Sequence, residues 1–306
     1  MLEIFFLVVI GFAIGTYGTL VGIGGGPLII PILALWYKFP TSTVIATSLF
    51  VIFFNTLSGS IAYFREKRID MVSGTKFALI TIPFSLLSTF GVYYINLSVF
   101  DVYFGLFLLI LAGYILFKPI EADMAQPLSA SGKNRSPFLK SGAPRSYSLL
   151  YTTIMRKGDQ EPEKRTPWYK GGVKERIIKD KAGIVYRYQV NEVFGLVLTA
   201  IIGIFSTFLG IGGGLIQVPV LVYLLFFPVH IATATSHYIT AINTLFTLIP
   251  FLVHGDVAYR PAVTLALGVV VGAQFGARFS MKLSGDTLLK LLIPVFIFMG
   301  LKLLFS

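Results

Sequence analysis

Polar side chains are scarce in the apolar stretches of this chain, and their spacing fits ligand binding better than covalent chemistry. Ser48 and Asn55 are seven residues apart, as are Ser236 and Asn243, so on a helix each pair shares one face. Thr47 and Thr235 stand beside the two serines, and a glycine run precedes each set: Gly22-Ile-Gly-Gly-Gly26 and Gly210-Ile-Gly-Gly-Gly214. Where such a run opens a helix, the first amides have no intrahelical acceptor and no side chain covers them, an arrangement that suits an anion. Enzymatic chemistry has little to work with. Cysteine is absent, no Asp or Glu lies mid-way along an apolar run, and the phosphate-loop, HExxH and GxSxG signatures are missing. No enzyme activity, metal or cofactor is therefore expected.

The two sets are in register. Gly22 and Gly210 are 188 residues apart (210 − 22), and the same offset relates Pro31 to Pro219, Pro40 to Pro228, Ala46-Thr47-Ser48 to Ala234-Thr235-Ser236 and Asn55-Thr56-Leu57 to Asn243-Thr244-Leu245. This is the mark of an internal duplication. The expected working point is where the two glycine runs meet.

The elements that must position them are membrane helices. Of the 306 residues 55% are hydrophobic and 13% charged, with mean hydropathy +0.80, well outside the soluble range. Apolar runs from Ile4 to Leu20, Thr41 to Phe64, Thr75 to Ile95 and Phe100 to Phe117 are matched by Val193 to Leu209, Val229 to Val253, Pro261 to Met281 and Thr287 to Phe305. The first has Glu3 ahead of it, no basic leader and no small-residue cleavage site, so a retained span is expected. Between Gly26 and Pro40, and between Gly214 and Pro228, lie apolar pieces too short to cross upright. Each follows glycines and carries a proline, which describes a helix that breaks and restarts inside the membrane. Such backbone survives at that depth only when buried in protein or lining a cavity. The fold class expected is all-α and polytopic: a helical bundle of two homologous repeats with discontinuous helices. The domains expected are repeats at 1–117 and 191–306, joined by a linker at 118–190.

The net charge of +11 does not point to nucleic acid. Fifteen of the 25 Lys+Arg lie between Lys118 and Arg187, against seven acidic residues, so +8 (15 − 7) resides in the linker. A basic linker beside spans, together with Arg65, Lys67 and Arg68, places that side in the cytoplasm of an inner (plasma) membrane protein. The linker, rich in Pro and Ser, reads first as a flexible tether. Lys174 to Asn191 then alternates around Asp180-Lys-Ala-Gly183 as a small hairpin would.

Several readings stay open on residues alone. The Ser and Asn pairs either tie their helices to the loosened backbone or touch a polar ligand directly. Gln217 lies in the second short helix. His237, where the first half has Leu49, reads as a packed histidine or a proton carrier. If each short helix continues the first span, a half has four crossings and the halves are parallel. If it turns back, the count is five and the second half is inverted with both termini outside; the positions of Arg278, Lys282 and Lys290 favour inversion.

The glycine runs with Pro27, Pro31 and Pro219, each followed by Ala-Thr-Ser and then Asn, resemble the TauE/SafE family of sulfite exporter-like and toluenesulfonate-uptake permeases. The resemblance covers both membrane halves but not the linker, which is longer than the short connection associated with that family. It implies transport of a small sulfur-containing anion such as sulfite, a sulfonate or sulfoacetate, with the glycines, Thr47, Ser48, Asn55, Thr235, Ser236 and Asn243 as site residues. The complete binding set expected is Gly24, Gly25, Gly26, Thr47, Ser48 and Asn55 from the first half. The second half contributes Gly212, Gly213, Gly214, Gln217, Thr235, Ser236, His237 and Asn243. The partners expected are that anion and the bilayer; an anion channel sharing the site, or a membrane-embedded enzyme, are the rival readings.

Overall fold

The computed structural model describes residues 2–92, 98–117, 173–208 and 210–304. The tether expected over the first part of the linker, 118–172, lies outside the described residues. Helices α1 (Leu2–Val21), α2 (Gly26–Trp36), α3 (Thr41–Arg65), α4 (Met71–Gly91) and α5 (Ser98–Phe117) form the first half. Strands β1 (Val173–Lys179) and β2 (Val185–Asn191) pair antiparallel, with Val173 opposite Asn191 and Lys179 opposite Val185. Then follow α6 (Glu192–Phe208), α7 (Gly214–Pro219) continuing as a π turn over Val220–Leu224, α8 (Val229–His254), α9 (Tyr259–Ser280), α10 (Gly285–Lys290) and α11 (Leu292–Leu304). Among the described residues, six segments are long and apolar enough to cross a membrane: α1, α3, α4, α8, α9 and the pair α10–α11. Large side chains such as Phe5, Leu79 and Leu267 face outward, as lipid contact requires. The chain is thus a mostly helical, multi-pass membrane protein, consistent with the all-α class expected.

Element starts recur at the offset of the motifs: α2 and α7 at Gly26 and Gly214, α3 and α8 at Thr41 and Val229, α4 and α9 at Met71 and Tyr259. The contacts also give each helix a direction. Along α1 and α9 the partners rise together: a Cβ at Gly11 would be 2.5 Å from the Leu265 carbonyl oxygen, and one at Gly15 2.5 Å from the Val269 Cα. Absent side chains here let two backbones touch, the usual basis of close helix packing in lipid. Along α3 and α9 they rise again, from the Phe50–Tyr259 ring pair through the Ser58 hydroxyl on the Val270 carbonyl (2.7 Å) to Tyr63 on Ser280 (3.3 Å). In α4 and α6, Ser85 donates to the Gly203 carbonyl and Ser88 to that of Ile204, at 3.1 and 2.6 Å. In α4 and α8, the Asp70 amide meets Thr235 and Thr75 meets Tyr238. In α3 and α8 the order falls: Gly59 lies against His237, whereas Ile52 lies with Thr244 around Gly212. So α1, α3 and α9 run one way, and α4, α6 and α8 the other.

The short helix does not continue the first span. The amides of Gly22, Ile23 and Gly24 all donate to the Gly18 carbonyl, at 3.0, 2.9 and 3.2 Å, which closes α1. The chain then reverses through Gly25, which caps α2 at φ 83, a left-handed conformation costly to any residue with a Cβ. By Gly25 it already lies beside Ile14, eleven residues back, and α2 returns toward the start of α1. There the Trp36 ring sits 5.5 Å from that of Phe6, and the Tyr37 hydroxyl donates to Glu3 at 2.8 Å. The second half repeats the reversal: Gly213 (φ 92) lies beside Ser206 and Ile202, at the same seven- and eleven-residue separations.

Of the expected runs, those at Phe100 to Phe117 and Val193 to Leu209 are not among the six, and one that is among them is divided. The run from Thr287 to Phe305 is divided at Leu291, because Pro294 has no amide hydrogen and its ring clashes with the carbonyl four residues earlier, that of Lys290. Tyr17 donates its hydroxyl to the Leu291 carbonyl at this break.

The hairpin docks on the end of the bundle where α3 gives way to α4 and where α6 begins. Arg68 and Asp180 pair at 2.9 Å with side chains 5% and 1% exposed. Tyr188 donates to Asp70 Oδ2 at 2.8 Å, and burial together with the Asp70 carboxylate pushes its phenol further up, so it stays the donor. Glu192 gathers Lys76 (2.6 Å), Lys174 (3.3 Å) and Arg176.

Candidate functional site

The two glycine breaks meet. A Cβ at Gly26 would lie 2.9 Å from the Ile211 Cα, and one at Gly214 would lie 2.8 Å from the Ile23 carbonyl oxygen; 26 and 214, like 23 and 211, differ by 188. Ile52 and Thr240, themselves 188 apart, fill the seam, each touching both Gly24 and Gly212. Ile23, Ile52 and Ile211 are buried, so the seam is closed to solvent.

Each half is laced to the break of the other. The Ser48 hydroxyl lies 2.8 Å from the Gly210 carbonyl oxygen, and the Ser236 hydroxyl 3.1 Å from that of Gly22. Thr47 accepts from the Ala258 amide at the start of α9, and Thr235 from the Asp70 amide at the start of α4, both at 3.0 Å. A helix start leaves orphan amides that need acceptors; in this protein the opposite half supplies them. In Asp70 the side chain also caps its own helix, accepting from Val72 and Ser73. All four hydroxyls are therefore held on protein backbone in this closed arrangement.

The asparagines differ. Asn55 donates to the Gly24 carbonyl at 2.8 Å and accepts from Thr19 at 3.1 Å. Asn243 Oδ1, the Thr207 hydroxyl and Gln217 Nε2 are buried without any hydrogen-bond partner. His237 packs against Gly59 and edge-on to Tyr63, with ring centroids 5.7 Å apart. Its Nε2 meets the Thr19 hydroxyl at 3.2 Å, while Nδ1 has no partner. A chain of contacts thus runs from His237 through Thr19 and Asn55 to the first glycine break. Gly24, Gly25, Gly212 and Gly213 all have positive φ, and Gly26 and Gly214 open the two short helices.

Residues that sequence reading passed over surround this frame. Thr19 and Thr207 gave no signal, because threonine is common in membrane helices, where it usually bonds its own backbone. Arg68, Asp70, Asp180 and Glu192 look like ordinary charges at span boundaries. The one cue was positional: at the offset of 188, Asp70 falls on Ala258, so the first half has a carboxylate at a position where the second has alanine.

The model of the sulfite exporter TauE/SafE family matches residues 7–303. The chain belongs to that family. It is similar to the probable membrane transporter protein YunE of Bacillus subtilis (strain 168), at 27% identity over 98% of this chain and 97% of the relative. It is also similar to the probable membrane transporter protein MJ0441 of Methanocaldococcus jannaschii, at 24% identity over 97% and 94% of the two chains. No solved structure matches it. As a TauE/SafE member with such relatives, the protein is a membrane transporter and not an enzyme.

Proposed function

We propose that this transporter is a secondary carrier for a small sulfur-containing anion, bound where the two glycine breaks meet. The observation that carries the reading is the reciprocal seam: Gly26 against Ile211, Gly214 against Ile23, and a serine of each half on the other's break. Irregular backbone buried at the centre of a membrane bundle is the usual construction of a carrier's binding site. The sulfur comes from the description of the family.

Opposite directions of α1 and α6, of α3 and α8, and of α4 and α9 support reading 1–117 and 191–306 as inverted repeats, with 118–190 as their linker. In such a pair each half can adopt the other's conformation, which opens the seam to the opposite side. The closed seam is then the occluded intermediate. The linker lies in the cytoplasm by its charge, and both chain ends lie outside the plasma membrane.

Counterflow in proteoliposomes tests the carrier directly: labelled sulfite, methanesulfonate or sulfoacetate should exchange against the unlabelled anion with no net gradient. Conductance without counterflow would identify a channel. Exchange of phosphate or acetate with no sulfur anion carried would remove the substrate class.

A further inference from the structure

The halves share a plan but not a hydrogen-bond inventory. In the first half the break is satisfied from within: Thr19 donates to Asn55, Asn55 donates to Gly24, and position 29 is the apolar Ile29. At the same positions the second half has Thr207, Asn243 and Gln217, and the Thr207 hydroxyl, Asn243 Oδ1 and Gln217 Nε2 are all unpartnered in residues 1% exposed. An unmade bond at one buried polar group is costly, and three around one break call for a missing partner.

These groups stand close to the second break. The Thr207 carbonyl accepts the Gly210 amide at 2.9 Å. Gln217 is four residues after Gly213, in the first turn of the short helix that Gly213 caps, and its backbone amide donates to the Gly213 carbonyl at 3.1 Å. That turn faces Ser206, the neighbour of Thr207. The two breaks are enclosed alike, at Gly212 and Gly214 as at Gly24 and Gly26, and differ at the capping glycine. Gly18 lies against the first break, where its Cβ would be 2.5 Å from the Gly25 nitrogen. At the corresponding place Ser206 holds the loop off, and a Cβ at Gly213 finds nothing nearer than 3.3 Å.

We propose that the second half alone makes the direct side-chain contacts to the anion: the Thr207 hydroxyl and the Gln217 amide donate to oxygens of a small oxyanion, while the first break serves as the structural wall opposite. The proposal rests on the carrier reading above and narrows its site. The open Oδ1 of Asn243 shows that the Thr207 hydroxyl hydrogen is not spent there, whereas that of Thr19 is committed to Asn55. The ligand class is an oxyanion with at least two acceptor oxygens, as sulfite and sulfonates have.

The test is binding to the purified full-length protein, by titration calorimetry with sulfite, methanesulfonate, phosphate and acetate as probes, alongside thermal unfolding without ligand. Thr207→Val and Gln217→Leu should each weaken oxyanion binding at least tenfold. Both should melt no lower than wild type, because an apolar group replaces an unsatisfied polar one. Thr19→Val should do the reverse, lowering the melting temperature through the lost Asn55 bond while changing affinity by less than about threefold. Wild-type affinity in Thr207→Val and Gln217→Leu overturns the proposal, as does an equal loss of affinity in Thr19→Val. If phosphate or acetate binds in place of the sulfur anions with the same sensitivity to these variants, the assigned contacts stand and the sulfur reading falls. A wild type that binds none of the four overturns both.

Discussion

Gly26→Ala isolates the contact between the two breaks. Gly26 is helical, so alanine there meets no backbone penalty and gains up to about 1 kcal/mol of helix propensity. Its Cβ, however, would lie 2.9 Å from the Ile211 Cα and 3.0 Å from its carbonyl oxygen, which are backbone atoms that cannot rotate away. Overpacking of this kind costs about 1–3 kcal/mol, which, set against the full propensity gain, leaves a net loss of up to about 2 kcal/mol from the closed seam. The matched control is Gly113→Ala in α5, where nothing lies within 4 Å of the added Cβ and propensity alone should act. Thermal unfolding in detergent should place Gly26→Ala below wild type and Gly113→Ala at or above it. Counterflow should fall several-fold in Gly26→Ala only, since a destabilised occluded state slows the passage between the two open ones. A Gly26→Ala protein as stable and active as Gly113→Ala would refute the reasoning, because the two breaks could not then be in contact.

Three further outcomes are expected. Ser48→Ala and Ser236→Ala each remove one hydrogen bond to the opposite break and should lower stability by a similar amount, about 1 kcal/mol, in thermal melts; a large effect of one with none of the other would contradict the reciprocity. Asp180→Asn leaves Arg68 as a buried, unpaired charge and should destabilise the docked hairpin by about 3–5 kcal/mol, seen as faster proteolysis within 173–191; unchanged protection would mean that the pair does not hold it. Tyr188→Phe removes a hydrogen bond to the buried Asp70 carboxylate and should cost about 1.5–3 kcal/mol by the same assay, since the phenol at position 188 is the donor.

Much of the architecture could be read from composition and repetition. Glycines followed by proline and an apolar stretch shorter than a bilayer identify a broken helix, and the recurrence of Pro31 and Pro219 in register says that there are two. That the short helix turns back was signalled only by the charges at Arg278, Lys282 and Lys290, because the contacts that show it join three-dimensional neighbours: Gly25 beside Ile14, and Tyr37 on Glu3. The division at Pro294 had a local signal that the continuous hydropathy around it masked. In the site, the motif residues Ser48 and Ser236 stood out because polar groups in lipid need partners, yet spacing cannot say that their partners belong to the opposite half. Thr207 was invisible for the opposite reason, since threonine rarely marks a membrane helix as unusual; only its contrast with Thr19, bonded to Asn55, sets it apart. The charges of the hairpin end were legible as charges but not as pairs, because Arg68 and Asp180 are 112 residues apart.

Locating the transported anion between the two glycine breaks is the most direct test of the proposed carrier site. Once counterflow has identified a carried sulfur anion, its selenium analogue can be bound to the protein and found by anomalous scattering. One occupied position is expected in the seam bounded by Gly24–Gly26, Gly212–Gly214, Ile52 and Thr240, on the side of Thr207 and Gln217. A carried anion found elsewhere in the bundle, with the seam still closed on itself, would contradict the proposed site.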